Sequence, residues 1–370
     1  MRVLHLYSGN LFGGIEMLLA LLARKRGLCP TMEPVFALCY TGRLADELAA
    51  TGSDVHQLGT VRVAKPMTIL RARRALRRLV DTERFDVVVS HGPWVSGVFG
   101  PVLRQGAPPL VEWLHSPRTD SWVDRWGRRT RPRLVVCNSR YTASTESSVT
   151  SDTRVEWLYP PVDVTPPVAD HDGRRTLRRD LHTPDDAVVV LQASRMQSLK
   201  GHRVHLEALA RLNELPNWVL WFVGGAQRPF EVSYVDELKA DAQRLGIAHR
   251  VRFAGERCDV ARVMAAADIY CQPNTAPEAF GMVFVEALVA GLPVVAGDDG
   301  GPPEVVDSSC GLLVPPGDVD ALAVALCLLI RDPASRRRLG RHGPRRAREL
   351  CDPATQLPRL SELLRQVVSP

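Results

Sequence analysis

"APEAFGMVFVEALVAGLPVV", residues 276–295, decides the fold. From Met282 to Ala290 the only polar residue is Glu286, and a helix that is apolar all round is a buried helix. Gly291 and Pro293 stop it in the usual order. Val294–Ala296 then reads as an apolar strand. A buried helix running straight into an apolar strand is part of a βαβ unit, the building block of a parallel sheet covered on both faces.

The same alternation runs through the chain. Val3–Leu6, Val35–Leu38, Asp86–Ser90, Leu110–Leu114, Leu134–Cys137 and Val155–Leu158 read as strands in the first half. Val188–Gln192, Trp218–Val223, Val251–Phe253, Ile269–Cys271 and Leu312–Val314 join Val294–Ala296 in the second. Helical patterns separate them, so the class is α/β. A chain of 370 residues exceeds one compact core and suits two domains. The proline- and aspartate-rich stretch Tyr159–Arg175 reads as the linker. Two doubly wound, Rossmann-like domains are expected, 1–163 and 164–351, facing across a cleft. A helix at about 352–370 is expected to pack back on the first. Ligands of such sheets bind beyond the carboxyl ends of the strands.

Apolar residues make up 45% and charged residues 24%, ordinary for a globular protein. No run reaches the roughly 18 apolar residues of a membrane span. The opening "MRVLHLYSGN" passes straight into a strand and lacks the features of a secretory leader, so a cytoplasmic protein is expected. Eight dispersed cysteines, none in a C-x-x-C pair, favour reduced thiols over zinc or disulfides. The net charge of +6 is uneven. Residues 1–165 hold 22 Lys and Arg against 15 Asp and Glu, and the rest hold 25 against 26. That asymmetry suggests an anionic partner or membrane surface, or a solvated arginine-rich face. No nucleic-acid reading module is recognisable, so nucleic acid is not an expected partner.

Four stretches could carry chemistry. In the opening stretch, burying Glu286 is costly without hydrogen-bond donors. Ligand hydroxyls or nearby backbone amides would supply them. Gly281 allows a close backbone approach, and the amides near Gly281, Met282 and Val283 form an anion site at a helix start. Glu278 would face whatever is attached to that anion. In "LQASRMQSLKGH", Arg195 and Lys200 follow a strand and could neutralise a diphosphate without metal, or be plain surface cations. In "YSGNLFGGIE", Gly13 and Gly14 permit a tight turn, without the spacing of a dinucleotide fingerprint. In "LVEWLHSPRTD", His115 ends a strand where it could orient or polarise a hydroxyl, or be structural. His91 has a similar but weaker position. Two D-x-D strings, Asp170–Asp172 and Asp318–Asp320, lie in segments read as linker or turn and carry little weight as metal sites.

Together these pieces resemble the retaining glycosyltransferases of the GT-B fold, family 4 (glycosyl transferases group 1). "PEAFGMVFVEA" is similar to that family's E-x7-E signature, "SRMQSLKG" to its Arg-x4-Lys-Gly element, "FGGIE" to its glycine loop and "VVCNSRYTAS" to its Asn-Ser strand end. The run "GLPVVAGDDGGPPEVVDSSCGLLVPPGDVDALA" continues the likeness. "YPPVD" departs from it, since many relatives carry Asn-Gly there. The resemblance implies a nucleotide-sugar donor domain at 164–351 and an acceptor domain at 1–163. It implies that Glu286 binds the ribose and Glu278 the donor sugar, with the amides of Phe280, Gly281, Met282 and Val283 on sugar and phosphate. Arg195 and Lys200 would hold the leaving diphosphate, Gly13 and Gly14 would close over phosphate, and His115 would lie near sugar and acceptor. No metal and no cofactor are implied; the donor would be a UDP- or GDP-sugar, and the acceptor a glycan, lipid-linked or small molecule. Base selection is expected near Arg252–Arg257 and Gln272–Thr275.

The alternatives are a sugar-nucleotide epimerase, a phosphorylase or a non-catalytic sugar-nucleotide-binding protein of the same architecture. A phosphorylase would need a pyridoxal phosphate lysine site, for which the sequence has no support. Intact Arg195, Lys200, Glu278 and Glu286 weigh against a decayed, non-catalytic chain. Finally, Thr68–Val80 reads as a basic amphipathic helix, with Arg71, Arg73, Arg74, Arg77 and Arg78 opposite its apolar stripe. Arg118–Arg133 mixes arginines with two tryptophans. Both could bring the chain to the inner face of an anionic membrane, or simply belong to a packed helix and its solvated face.

Overall fold

The computed structural model describes every residue except 10–12, 104–105, 148–152, 168–169, 227 and 369–370. It falls into two compact units, one of Met1–Asp163 with Cys351–Pro370 and one of Val164–Leu350.

The described strands of the first unit are β1 (Arg2–Tyr7), β2 (Glu33–Leu38), β3 (Val55–Gln57), β4 (Val87–His91), β5 (Leu110–Leu114), β6 (Leu134–Cys137) and β7 (Arg154–Trp157). They form one parallel sheet in the order β3-β2-β1-β4-β5-β6-β7. The central strands are buried along their length, as β4 and β5 illustrate. Their continuous apolar runs are what a sheet covered on both faces requires. Strand β3 was not expected from sequence. Its three residues, Val-His-Gln, sit on the sheet edge only half buried, which leaves too short and too polar a pattern to read.

The second unit contains β8 (Val188–Ala193), β9 (Trp218–Val223), β10 (Val251–Phe253), β11 (Ile269–Gln272), β12 (Val294–Gly297) and β13 (Gly311–Val314). They pair in parallel in the order β10-β9-β8-β11-β12-β13. Trp218, Phe222, Leu238, Val295, Leu322 and Leu326 belong to its main core. The helix of the opening stretch spans Met282–Val289 and leads into β12 after Gly291 takes a left-handed φ of 75°. Both units are therefore doubly wound, as the alternation in the sequence implies.

The stretch read as a linker is shorter than expected. A helix, His171–Asp180, begins inside it, and the Asp170 side chain accepts from the Gly173 amide as its N-cap. Asp318 caps Val319–Arg331 in the same way, accepting from the Ala321 amide. Both D-x-D strings thus begin with a helix cap. The terminal helix, Pro353–Val368, lies on the first unit, where Arg365 donates to Thr31 Oγ1 and the Arg359 guanidinium stacks over the Trp157 ring. No described helix is long and apolar enough to cross a membrane.

Candidate active-site residues

Each sheet reverses its strand order once, and the loops leaving the two strands at that point diverge to open a crevice. In the second unit the reversal falls between β8 and β11. The loop after β8 carries Arg195 and Lys200, and the loop after β11 carries Asn274 and Glu278. Lys200 Nζ donates to Glu278 Oε2 at 2.5 Å, and Asn274 Nδ2 donates to the same oxygen at 2.8 Å. Burial pushes the Glu278 carboxyl up, but the Lys200 ammonium and the hydrogen bonds from Lys200, Asn274 and the Ala279 amide outweigh it. They hold its pKa below the usual carboxylate range. Glu278 is thus an ionised, oriented acceptor.

Glycines shape these loops from inside. Gly201, next to Lys200, has a φ of 76°, and a Cβ there would lie 1.8 Å from the Pro273 carbonyl oxygen. The two loops can touch only because that side chain is missing. Gly281 starts the helix at φ 81°, where a Cβ would meet the Phe284 ring at 2.3 Å. Its glycine is therefore demanded first by the protein's own packing. The Glu278 backbone is tied to the following loop by a hydrogen bond from the Gly301 amide to its carbonyl. Met282 and Val283 head the helix, half exposed, and the first amides of any helix lack intrahelical acceptors. Phe280 is buried.

Glu286 lies one turn into this helix, partly buried, with no hydrogen-bond donor to its carboxylate among the described residues. Burial raises its pKa to about 7. Structural capping by backbone amides, one of the two readings open in the sequence, is not found among the described residues. The Arg195 side chain is exposed and makes no ion pair or hydrogen bond among the described residues, so the structure does not tie it to the Lys200–Glu278 cluster.

Sequence reasoning missed the polar layer under this cluster. Gln272 Nε2 donates to Asn274 Oδ1 at 2.9 Å, and Gln192 Nε2 donates to the Lys200 carbonyl at 2.8 Å. His205 Nδ1 is 2.9 Å from Gln192 Oε1, and Ser194 Oγ is 3.1 Å from His202 Nε2. Gln192 and Gln272 are fully buried. The Gln272 and Asn274 side chains, in the stretch where base selection is expected, are engaged in holding Glu278. A glutamine ending an apolar strand ("VVVLQ", "IYCQ") was the available signal. Arg252 is likewise turned to backbone carbonyls of Leu181, His182 and His249.

In the first unit the reversal falls between β1 and β4. Asn10, Leu11 and Phe12 of the glycine loop lie outside the described residues. Gly13, extended with φ −169°, lies at a bend, and helix Gly14–Arg24 follows it; Gly9 takes a left-handed φ of 77°. His115 stands just past β5, partly exposed, its Nε2 2.9 Å from His91 Nδ1, and burial lowers its pKa to about 3. His91, rated the weaker candidate, is its direct partner.

The basic segments are more packed than expected. Helix Pro66–Thr82 buries Ala72, Leu76 and Leu79, but Arg73 turns inward to donate to the Val98 and Gly97 carbonyls, so it leaves the basic face. Arg118 is buried between Glu112 and Glu146. Trp126 occupies the space a Cβ on Gly97 would need. A cavity of about 510 Å³ opens between the two segments, lined by Val63, Ile69, Trp122, Arg125, Trp126 and Arg129.

Two doubly wound parallel sheets, with charged and polar residues at the strand-order reversal, are what the resemblance to the GT-B glycosyltransferases implies. Residues 173–346 match the model of the glycosyl transferases group 1, and residues 34–165 match that of glycosyltransferase family 4. The chain is 31% identical over 310 residues to the GDP-mannose-dependent alpha-(1-6)-phosphatidylinositol monomannoside mannosyltransferase of Mycolicibacterium smegmatis, covering 78% of each chain. It is 32% identical over 290 residues to the D-inositol 3-phosphate glycosyltransferase of Thermobifida fusca, covering 70% of this chain and 64% of that one. Among solved structures, Anabaena HepE in complex with UDP and glucose matches over 99% of both chains, with a TM-score of 0.86 and 25% identity. The chain belongs to the glycosyltransferase group 1 and family 4 proteins, and it is a glycosyltransferase.

Proposed function

We propose that the chain moves a sugar from a nucleotide-diphosphate sugar to an acceptor hydroxyl, with retention of configuration and without a metal. The observation that carries this is the Lys200–Glu278–Asn274 cluster at the strand-order reversal, beside a helix start and the undonated carboxylate of Glu286. Bond cleavage at the sugar develops positive character there and negative charge on the leaving diphosphate. Lys200, Arg195 and the amides of Gly281, Met282 and Val283, with Phe280 alongside, meet that negative charge. Glu278 accepts from the sugar hydroxyls and Glu286 from the ribose. In the first unit, His115 serves the acceptor hydroxyl, and Gly13 and Gly14 remain assigned to phosphate. The relatives, one GDP-mannose-dependent and one solved with UDP and glucose, make GDP- and UDP-sugars the donors to try first. A thermal-shift and hydrolysis screen against UDP-, GDP-, ADP- and dTDP-sugars tests the reading. One or more should raise the Tm and release nucleotide diphosphate; no shift and no turnover with any of them would sink it.

The acceptor we assign is anionic and lipid-linked. Its support is the cavity of the first unit, where two tryptophans and two arginines meet Val63 and Ile69, with Met67 and Leu70 exposed on the same helix as Ile69. Amphipathic helices and interfacial tryptophans of this kind lie in the headgroup region of anionic bilayers. Co-sedimentation with phosphatidylglycerol vesicles should exceed that with phosphatidylcholine vesicles by about tenfold at low salt, and Arg125→Glu with Arg129→Glu should abolish the difference. Equal binding to both vesicles removes the membrane part of the proposal.

A further inference from the structure

His5, His91 and His115 stand on β1, at the end of β4 and just past β5, three strands that are neighbours in the sheet. Their rings form one hydrogen-bonded chain. His5 Nδ1 is 3.0 Å from His91 Nε2, and His91 Nδ1 is 2.9 Å from His115 Nε2. His91 and His115 stack at 5.2 Å with 13° between their planes, and the Trp113 ring flanks both. His5 and His91 are buried, while His115 is partly exposed. Burial lowers all three pKa values, His5 to about 3, and at His91 the neighbouring imidazoles add to it. All three rings are therefore neutral near neutral pH.

A neutral imidazole carries one proton, so each nitrogen-to-nitrogen contact needs one donor and one acceptor. Two contacts in series leave only two arrangements. In the first, His115 Nε2–H donates to His91 Nδ1 and His91 Nε2–H donates to His5 Nδ1. That places the His5 proton on Nε2, which is buried and without a partner, and leaves His115 Nδ1 bare. In the second, His5 Nδ1–H donates to His91 Nε2 and His91 Nδ1–H donates to His115 Nε2. His5 Nε2 is then an unused lone pair, and the His115 proton sits on Nδ1. Orphaned buried N–H groups are rarer than orphaned acceptors, and an apolar neighbour costs a donor its full desolvation. His5 Nε2 lies in a ring stacked on Phe36. The second arrangement wins.

We propose that His5 and His91 are positioning residues that fix His115 in the tautomer with its proton on Nδ1. That nitrogen has no partner among the described residues, so it is the one open to a substrate. His115 then donates a hydrogen bond to an acceptor or sugar oxygen and does not remove the acceptor proton, which must leave by another route. The tautomer assignment rests on the histidine chain alone; its catalytic meaning rests on reading His115 as a site residue.

Long-range ¹H–¹⁵N spectra of the full chain labelled with ¹⁵N-histidine read the tautomer directly, with His115→Gln assigning its signals. The expected result is three neutral rings and His115 protonated at Nδ1. A wild-type spectrum with His115 protonated at Nε2 would overturn the proposal. His91→Asn keeps an amide N–H where Nδ1 stands, so it should preserve the tautomer and most of kcat. His91→Phe should release His115 into a tautomer mixture and lower kcat about tenfold with donor KM unchanged. A His115 tautomer that ignores His91→Phe also overturns it, and if that variant does not fold, the wild-type and His91→Asn spectra still decide. If the tautomer is as expected but His115→Gln transfers sugar at the wild-type rate, the site assignment fails and the histidine chain stands.

Discussion

Lys200→Ala is expected to lower kcat by about 10³ in a chain that remains folded. The Lys200 ammonium is the cation fixed closest to Glu278, at 2.5 Å, and the proposed reaction builds negative charge on a leaving diphosphate beside it. The substitution does two separable things. It removes leaving-group stabilisation, and among the described residues it leaves Asn274 and the Ala279 amide to hold the Glu278 carboxylate. The second effect costs about 2 kcal/mol of stability at neutral pH. Its pH dependence has a definite sign. The folded-state pKa of Glu278 lies below its unfolded value, so its stabilising contribution is present above the unfolded pKa and disappears as pH falls through the folded one. The Tm deficit of Lys200→Ala should therefore shrink on acidification. Adding Glu278→Gln to Lys200→Ala should restore the Tm but not turnover. Thermal melts and single-turnover kinetics check both halves, and unimpaired transfer in Lys200→Ala would remove Lys200 from the reaction.

Why this cluster was legible in the sequence, and its supports were not, has a physical reason. Strand ends and helix starts are written locally. "VVVLQASRMQSLKGH" and "APEAFGMVFVEA" each contain the strand or helix that positions their charged residues, so Lys200, Glu278 and Glu286 could be placed by sequence distance alone. The partners of these residues are written elsewhere. Lys200 and Glu278 are 78 residues apart and meet only because β8 and β11 are adjacent where the strand order reverses. The histidine chain joins positions separated by 86 and 24 residues across three strands, and no local pattern announces it. Arg118 reads as one more arginine in a basic segment. It is instead buried against Glu112 on β5 and Glu146 on helix Arg140–Ser147, which meet at the loop that carries it. Arg73 fails for a related reason: helical periodicity puts it on the polar face, but the Gly97 and Val98 carbonyls of a neighbouring helix lie within its reach. Short elements fail differently. Strand β3 is held by its neighbour β2 and not by its own three residues.

Nucleotide affinity is expected to fall about tenfold between about pH 8 and about pH 6, and Glu286→Gln is expected to abolish that dependence. The free carboxyl titrates near 7 because burial disfavours its charge and no described residue donates to it. Ribose hydroxyls are donors, so they favour the ionised form, and binding must expel the proton wherever one is present. Affinity therefore rises with pH until Glu286 is fully ionised and then levels off. The same imbalance has an opposite consequence for the empty protein. A folded-state pKa raised above the unfolded value stabilises the fold below the unfolded pKa and loses that contribution as pH rises through about 7. Glu286→Gln should thus raise the Tm of the ligand-free chain at about pH 8 by about 3 °C while weakening nucleotide binding about 10²-fold. Glu286→Ala should bind as weakly but gain less stability, because it leaves a cavity. Calorimetric titration in two buffers of different ionisation enthalpy measures the expelled proton directly. Proton release that persists in Glu286→Gln would assign the titration to another group, and a pH-independent wild type would mean that the ribose does not meet this carboxylate.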